Sequence, residues 1–222
     1  MKAQTRNPGT FLLSLTVAAL VSLCALGCAR EQGDEEPSVA EMNDWRQMYE
    51  AWEDPAPLPD FALIDQDGRR FRLHRYHDDY LLLAFVFARC QLAEACPLTM
   101  AKMRAVQKAW SKVSSAPPSR GKNLSLLTVT LDPEFDTPAL LKKFARGHGA
   151  DFANWTVATG PNELVSTALP SLFNVMALPN GKGSLNHSVK VALLRPGLTQ
   201  FKEWRDNKFQ SKEIIDLVQH DQ

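Results

Sequence analysis

Residues 80–88 (YLLLAFVFA) are an unbroken apolar run, the pattern of a central strand covered on both faces. A second run at 123–131 (NLSLLTVTL) reads the same way, and 155–158 is a shorter strand. Between the two long runs, Leu98, Met103, Val106 and Trp110 recur at helical spacing and predict a helix over 98–114. Residues 136–138 resemble a cap ahead of a helix through Ala145, with Pro138 near its first turn and Gly147 and Gly149 closing it. Residues 161–173 predict a helix interrupted or ended at Pro170. Residues 188–194 and 198–204 predict two strands joined at Pro196-Gly197, and 211–220 (SKEIIDLVQH) an amphipathic closing helix. Ahead of the first long strand, 61–73 (FALIDQDGRRFRL) alternates on both sides of Asp67-Gly68, a hairpin signal. Residues 42–52 fit a short amphipathic helix that the prolines at 55, 57 and 59 would end.

This order predicts an α/β domain of thioredoxin-like fold with an added N-terminal β-hairpin. In open α/β sheets, sites gather beyond the carboxyl ends of the strands. Cys90 and Cys96 follow the 80–88 strand at such an end and stand before the next helix.

The first residues have a different character. Lys2 and Arg6 precede a charge-free apolar stretch, 11–26, and small Gly27 stands before Cys28. That is a secretory signal, and Ala25-Leu26-Gly27-Cys28 resembles a bacterial lipobox whose cysteine would carry the lipid. An uncleaved anchor is a second reading, since 10–29 is long enough to span a bilayer, and a soluble secreted protein is a third. All three place the domain outside the cytoplasm, and the lipoprotein reading attaches it to a membrane on the periplasmic side. Residues 28–57 read as an acidic flexible tether holding the short helix, and thirty such residues reach roughly 30 Å. Residues 58–222 are then the folded domain, with 1–27 the leader. The 25 basic and 25 acidic residues of the chain become 23 and 25 without Lys2 and Arg6. A near-neutral domain with scattered Lys and Arg argues against a nucleic-acid partner.

With the leader and Cys28 set aside, Cys90 and Cys96 are the only cysteines. Thiolate is both the nucleophilic and the metal-ligating form of cysteine, and a helix start favours it. Three chemistries compete. A structural disulfide closing so short a loop would contribute roughly 2–3 kcal/mol. A thiol–disulfide oxidoreductase would be the enzymatic reading, but five residues (QLAEA) separate the sulfurs and no proline precedes the 188–194 strand. The third reading adds His187, which stands before that strand where a thioredoxin-like domain brings its facing residue up to the cysteines. Two thiolates and an imidazole suit Cu(I) and can hold Cu(II), whereas zinc prefers a fourth ligand. His74, His77, His148 and His220 read as surface residues. Met100 is a candidate thioether ligand or a core residue, and Asp132 either approaches the site or turns the chain ahead of Pro133.

Over essentially all of 58–217 the chain resembles the Sco/SenC family of copper-binding proteins that assemble cytochrome c oxidase. The resemblance is carried by residues 59–68 (PDFALIDQDG), Phe87-Ala88-Arg89-Cys90 through Cys96-Pro97-Leu98-Thr99-Met100, residues 128–133 (TVTLDP), Asp136-Thr137-Pro138, residues 155–160, and Asn186-His187-Ser188. It implies copper held by Cys90, Cys96 and His187, and a copper-containing subunit of the oxidase as partner. It implies a metallochaperone rather than an enzyme. Gln91, Asn186 and Pro196 depart from the family pattern, and Asn186 removes a carboxylate that could orient His187.

Overall fold

The computed structural model describes residues 36–53, 57–114, 122–180 and 185–221. The leader, Cys28 and the first part of the tether lie outside the described residues. Among the described residues no helix is long and apolar enough to cross a membrane.

Strand β3 (Tyr80–Val86) is buried at every position. Parallel β4 (Leu124–Thr130) flanks it on one side and antiparallel β8 (Lys190–Arg195) on the other. With β5 (Trp155–Ala158) beyond β4 and β9 (Thr199–Arg205) beyond β8, the five-stranded order is β5-β4-β3-β8-β9. This is the thioredoxin-like sheet that the sequence predicts. Alternation along β3 divides the core. Leu81, Leu83 and Phe85 face a cluster with Phe61, Leu63 and Phe173, while Leu82, Ala84 and Val86 face helix α2 (Cys96–Ser114) and helix α5 (Ser211–His220).

The added hairpin is present as β1 (Ala62–Ile64) and β2 (Arg70–Arg72), with Gly68 at φ +81° in the turn. It docks on the main domain through reciprocal backbone bonds of 2.8 Å between Ile64 and Thr159. The segment read as tether is not uniform. Glu36 pairs with Arg70, Glu41 pairs with Arg72, and Met42 and Trp45 are buried. Trp45 opens the short helix α1 (Trp45–Glu50), so this stretch packs on the domain before the proline segment.

Three local departures have physical reasons. Helix α2 begins at Cys96, two residues before its apolar stripe, because Pro97 fits a first turn where its missing N–H costs nothing. Helix α3 (Pro138–Gly147) is capped by Thr137, whose hydroxyl accepts from Leu140 N–H at 3.3 Å, and not by Asp136, which is fully buried. The helix around Pro170 continues through it as a π-turn (Leu164–Ala168) followed by α4 (Leu169–Ser171). The wider turn relieves the ring's clash with the preceding carbonyl. One element has no counterpart in the sequence pattern: an antiparallel pair of β6 (Ala177–Pro179) and β7 (Leu185–His187), in which Ala177 faces His187.

Candidate metal centre

Where β3 ends, the chain must cross from the sheet into α2, and the crossing segment is fixed at several points. Leu131 N–H donates to Val86 O at 2.8 Å, and Cys90 N–H to Phe87 O at 3.2 Å. Asp136 Oδ2 accepts from Ala88 N–H at 3.0 Å and from the Thr130 hydroxyl at 2.5 Å. Arg89 donates through Nε and Nη2 to Asp132 Oδ2 at 2.9 and 2.7 Å, and its guanidinium lies 4.3 Å from the Phe135 ring. At the far end of the segment, Asn207 Nδ2 donates to the carbonyls of Glu94 and Ala95 at 2.9 and 3.2 Å, and its Oδ1 accepts from Thr99 Oγ1 at 2.8 Å.

The segment carries Cys90, half-buried, to Cys96, which is fully buried at the start of α2. β7 brings His187 from the opposite side. Its ring packs edge-on against Phe87, with centroids 5.4 Å apart and planes at 76°. Nδ1 lies 3.1 Å from Ser188 O, and a carbonyl can only accept, so Nδ1 carries the proton and Nε2 presents its lone pair. Nε2 is 3.4 Å from Cys96 Sγ. The donor atoms of Cys90, Cys96 and His187 all lie within 4.8 Å of one another, and among the described residues no other His, Cys, Asp or Glu cluster of this kind occurs. A trigonal ion with bonds of about 2.0–2.3 Å needs donors about 3.7–4.0 Å apart, so side-chain movements of about 1 Å would close the site.

The two sulfurs are not equivalent. A hydrogen bond from Cys96 outweighs burial and draws the Cys90 thiol down to about 4. Cys96, hydrogen-bonded to that thiolate and buried, is pushed well above the ordinary thiol range. Of the pair's two protons, one is therefore released below the ordinary thiol range and the other is held above it. This arrangement can bind a soft cation through a ready thiolate and imidazole, with the second sulfur joining as it loses its proton. It can also attack a disulfide through Cys90 and resolve through Cys96.

The SCO1/SenC family model matches residues 51–220. The chain belongs to the SCO1/SenC family. It is 27% identical over 146 residues to the SCO1 protein homolog of Bacillus subtilis, covering 65% of this chain and 71% of that protein. Its fold is similar to that of a SCO1/SenC family lipoprotein from Bacillus anthracis, with a TM-score of 0.65, 22% identity, and 74% and 94% of the two chains covered. It is also similar in fold to copper-bound ScoI of Bradyrhizobium japonicum, with a TM-score of 0.57, 18% identity, and 71% and 94% covered.

Asn186, beside the histidine, is exposed on β7. The Ser188 carbonyl fixes the His187 ring without a carboxylate at position 186. Met100 is fully buried with Met103 and Val106 between sheet and helix, the core alternative. Asp132 is no member of the cysteine–histidine cluster. It turns the chain by accepting from Phe135 and Asp136 N–H through its carbonyl, and it holds Arg89 beside Cys90. His148 is tied to Phe144 O, and His74 and His77 stack on each other. Asp136, Arg89 and Asn207 escape the sequence reading because each acts on backbone or on a residue distant in the chain. The available signals were the blocks Phe87-Ala88-Arg89-Cys90 and Asp136-Thr137-Pro138.

Proposed function

We propose that this protein is an extracytoplasmic copper chaperone, tethered to a membrane by a lipid on Cys28, with 1–27 as its leader and the folded domain as its copper carrier. One copper ion is its cargo, held by Cys90, Cys96 and His187 and delivered to the copper-containing subunit of cytochrome c oxidase. The observation that carries the reading is the convergence of two sulfurs and one imidazole lone pair from three separate elements, with all donor atoms within 4.8 Å. A thiol exchanger needs no third donor. Membership in the SCO1/SenC family and the printed description of the Bradyrhizobium relative as copper-bound support the cargo. The lipoprotein relative from Bacillus anthracis supports the anchor.

Cu(I) is the natural cargo for two thiolates and an imidazole, and Cu(II) can use the same donors. Oxidation of Cys90 and Cys96 to a disulfide would remove two of the three donors, so binding requires the reduced pair.

One observation favours a second reading, a thiol–disulfide oxidoreductase acting on the target's cysteines. The low, partly exposed Cys90 thiol beside a buried Cys96 thiol is the asymmetry of an attacking and a resolving cysteine. His187→Ala separates the two. In an anaerobic Cu(I) titration against a competing chelator, the chaperone reading expects one tight equivalent in the parent and a loss of at least about tenfold in affinity in the variant. Unchanged copper affinity in His187→Ala, with disulfide reduction of the oxidase subunit intact, would replace the chaperone by the oxidoreductase.

A further inference from the structure

Six large apolar side chains stand exposed among the described residues: Val39, Leu92, Leu98, Phe135, Met176 and Leu178. Val39 belongs to the N-terminal segment. The other five surround the metal centre by chain position or by contact. Leu92 and Leu98 each follow a site cysteine by two residues. Phe135 covers the guanidinium of Arg89, the neighbour of Cys90. Met176 O accepts from Ser188 N–H and Met176 N–H donates to Ser188 Oγ, and Leu178 pairs with Asn186; Asn186 and Ser188 are the two neighbours of His187. Strand alternation turns His187 and Ala177 toward the domain and Met176 and Leu178 toward solvent. Their exposures, from 37% at Leu98 to 71% at Met176, are high for side chains that a free surface has no reason to keep apolar.

We infer that these five residues form the docking face for the copper acceptor, a protein whose sulfur or imidazole ligands open onto an apolar surface of its own. The inference rests on the delivery reading and adds the surface through which delivery occurs. Cys96 is fully buried, so an incoming donor can reach the ion only by being pressed onto the rim beside Cys90 and His187. The exposed area of the five side chains is on the order of 500 Å², within the range where the largest patch of a monomer is often functional. It falls short of the roughly 800 Å² per partner of a standard stable interface, which suits a transient transfer complex and not a permanent dimer. Arg89, the neighbour of Cys90, is paired with Asp132. Among the described residues, the basic group beside Cys90 is thus not free to draw this face onto anionic lipid, which favours a protein over a bilayer.

Transfer across this face is ligand exchange without a change in copper's oxidation state. An incoming thiol gives up its proton as its sulfur bonds the ion, one of this protein's donors leaves, and the released thiolate takes up a proton. The acceptor's apolar surface, by excluding water, favours the bridged intermediate over loss of copper to solvent.

The test is stopped-flow copper transfer from the loaded protein to the soluble copper domain of the oxidase subunit encoded by the same genome. Leu92→Ser/Met176→Ser/Leu178→Ser is compared with the parent and with Val39→Ser; Leu178→Lys serves as an independent single variant. The expected result is a second-order rate at least tenfold lower in the triple variant and lowered in Leu178→Lys, with copper affinity and circular dichroism unchanged in both and Val39→Ser equal to the parent. Equal rates in parent and triple variant overturn the docking face while leaving delivery standing, whether or not the variant also loses self-association or binding to phosphatidylglycerol vesicles. A parent that transfers nothing overturns delivery itself, and the docking face with it.

Discussion

Cys90 and Cys96 share one proton between them at neutral pH, and that proton sets how the site responds to its surroundings. Copper bound by both sulfurs must displace it from Cys96. Between about pH 7.5 and 9 the apparent affinity should therefore rise about tenfold per pH unit, with one proton released per copper, measurable by chelator competition in lightly buffered solution. A slope near zero would mean that Cys96 binds as thiol or not at all. Asp136 invites a second test. Burial, aided by the nearby Asp132 charge, raises its carboxyl above the ordinary range, and its Oδ1 is buried without a partner. A group whose folded value is raised contributes stability that is complete below its unfolded value and is lost as pH rises through the folded one. Asp136→Asn removes that loss. The stability of the variant relative to the parent should shift in the variant's favour from about pH 4 to about pH 7, read by urea denaturation at both pH values. Asp136→Ala behaves differently, since it strands the Ala88 N–H, and should cost about 1–3 kcal/mol. It should also weaken copper binding, because the residue before Arg89-Cys90 loses its anchor.

At the scale of elements, the strands and helices that announce themselves are those with long apolar patterns. β3, β4, β5, α2 and α5 fall at or within two residues of where hydrophobic spacing puts them, because burial on one or two faces writes a period into the chain. The β6–β7 pair was illegible for the same reason. Its strands have three residues each, its partners are half-exposed, and Pro179 and Asn186 carry no alternation to read. Yet this pair delivers His187. The sequence could bring the histidine to the site only through the expectation of a facing residue ahead of the next strand, and that placement survives although the strand ahead of it starts later, at Lys190. Lys190 itself is 3% exposed and pairs with Glu203 on β9 at 3.0 Å. Glu203→Ala would leave a buried ammonium unpaired. Discounted for the partial exposure of Glu203, the cost should be about 2 kcal/mol in denaturant unfolding. A cost near zero would mean that water replaces the carboxylate.

The molecule as a whole places a small reactive centre at the carboxyl end of a five-stranded sheet, while the hairpin and the packed N-terminal segment dock beyond β5, through Thr159 and Glu163. Membership in the SCO1/SenC family was legible in the cysteine block Cys96-Pro97-Leu98-Thr99-Met100 and in the spacing to His187. The positioning residues were not, since Asn207 reaches back more than a hundred residues to hold Glu94 and Ala95. The proposed lipid on Cys28 makes a separable prediction. Cys28→Ser should move the protein from the membrane to the soluble extracytoplasmic fraction while copper binding by the domain is retained, as fractionation with metal analysis would report. Retention in the membrane would point to an uncleaved anchor over 10–29.

The central claim is that one copper is held by two thiolates and one imidazole. X-ray absorption of the anaerobically Cu(I)-loaded protein tests it most directly, beside His187→Ala. The account predicts one copper per chain with two sulfur scatterers and one imidazole nitrogen, the nitrogen lost in the variant. A first shell of sulfur alone in the parent, or a spectrum that His187→Ala leaves unchanged, would contradict it.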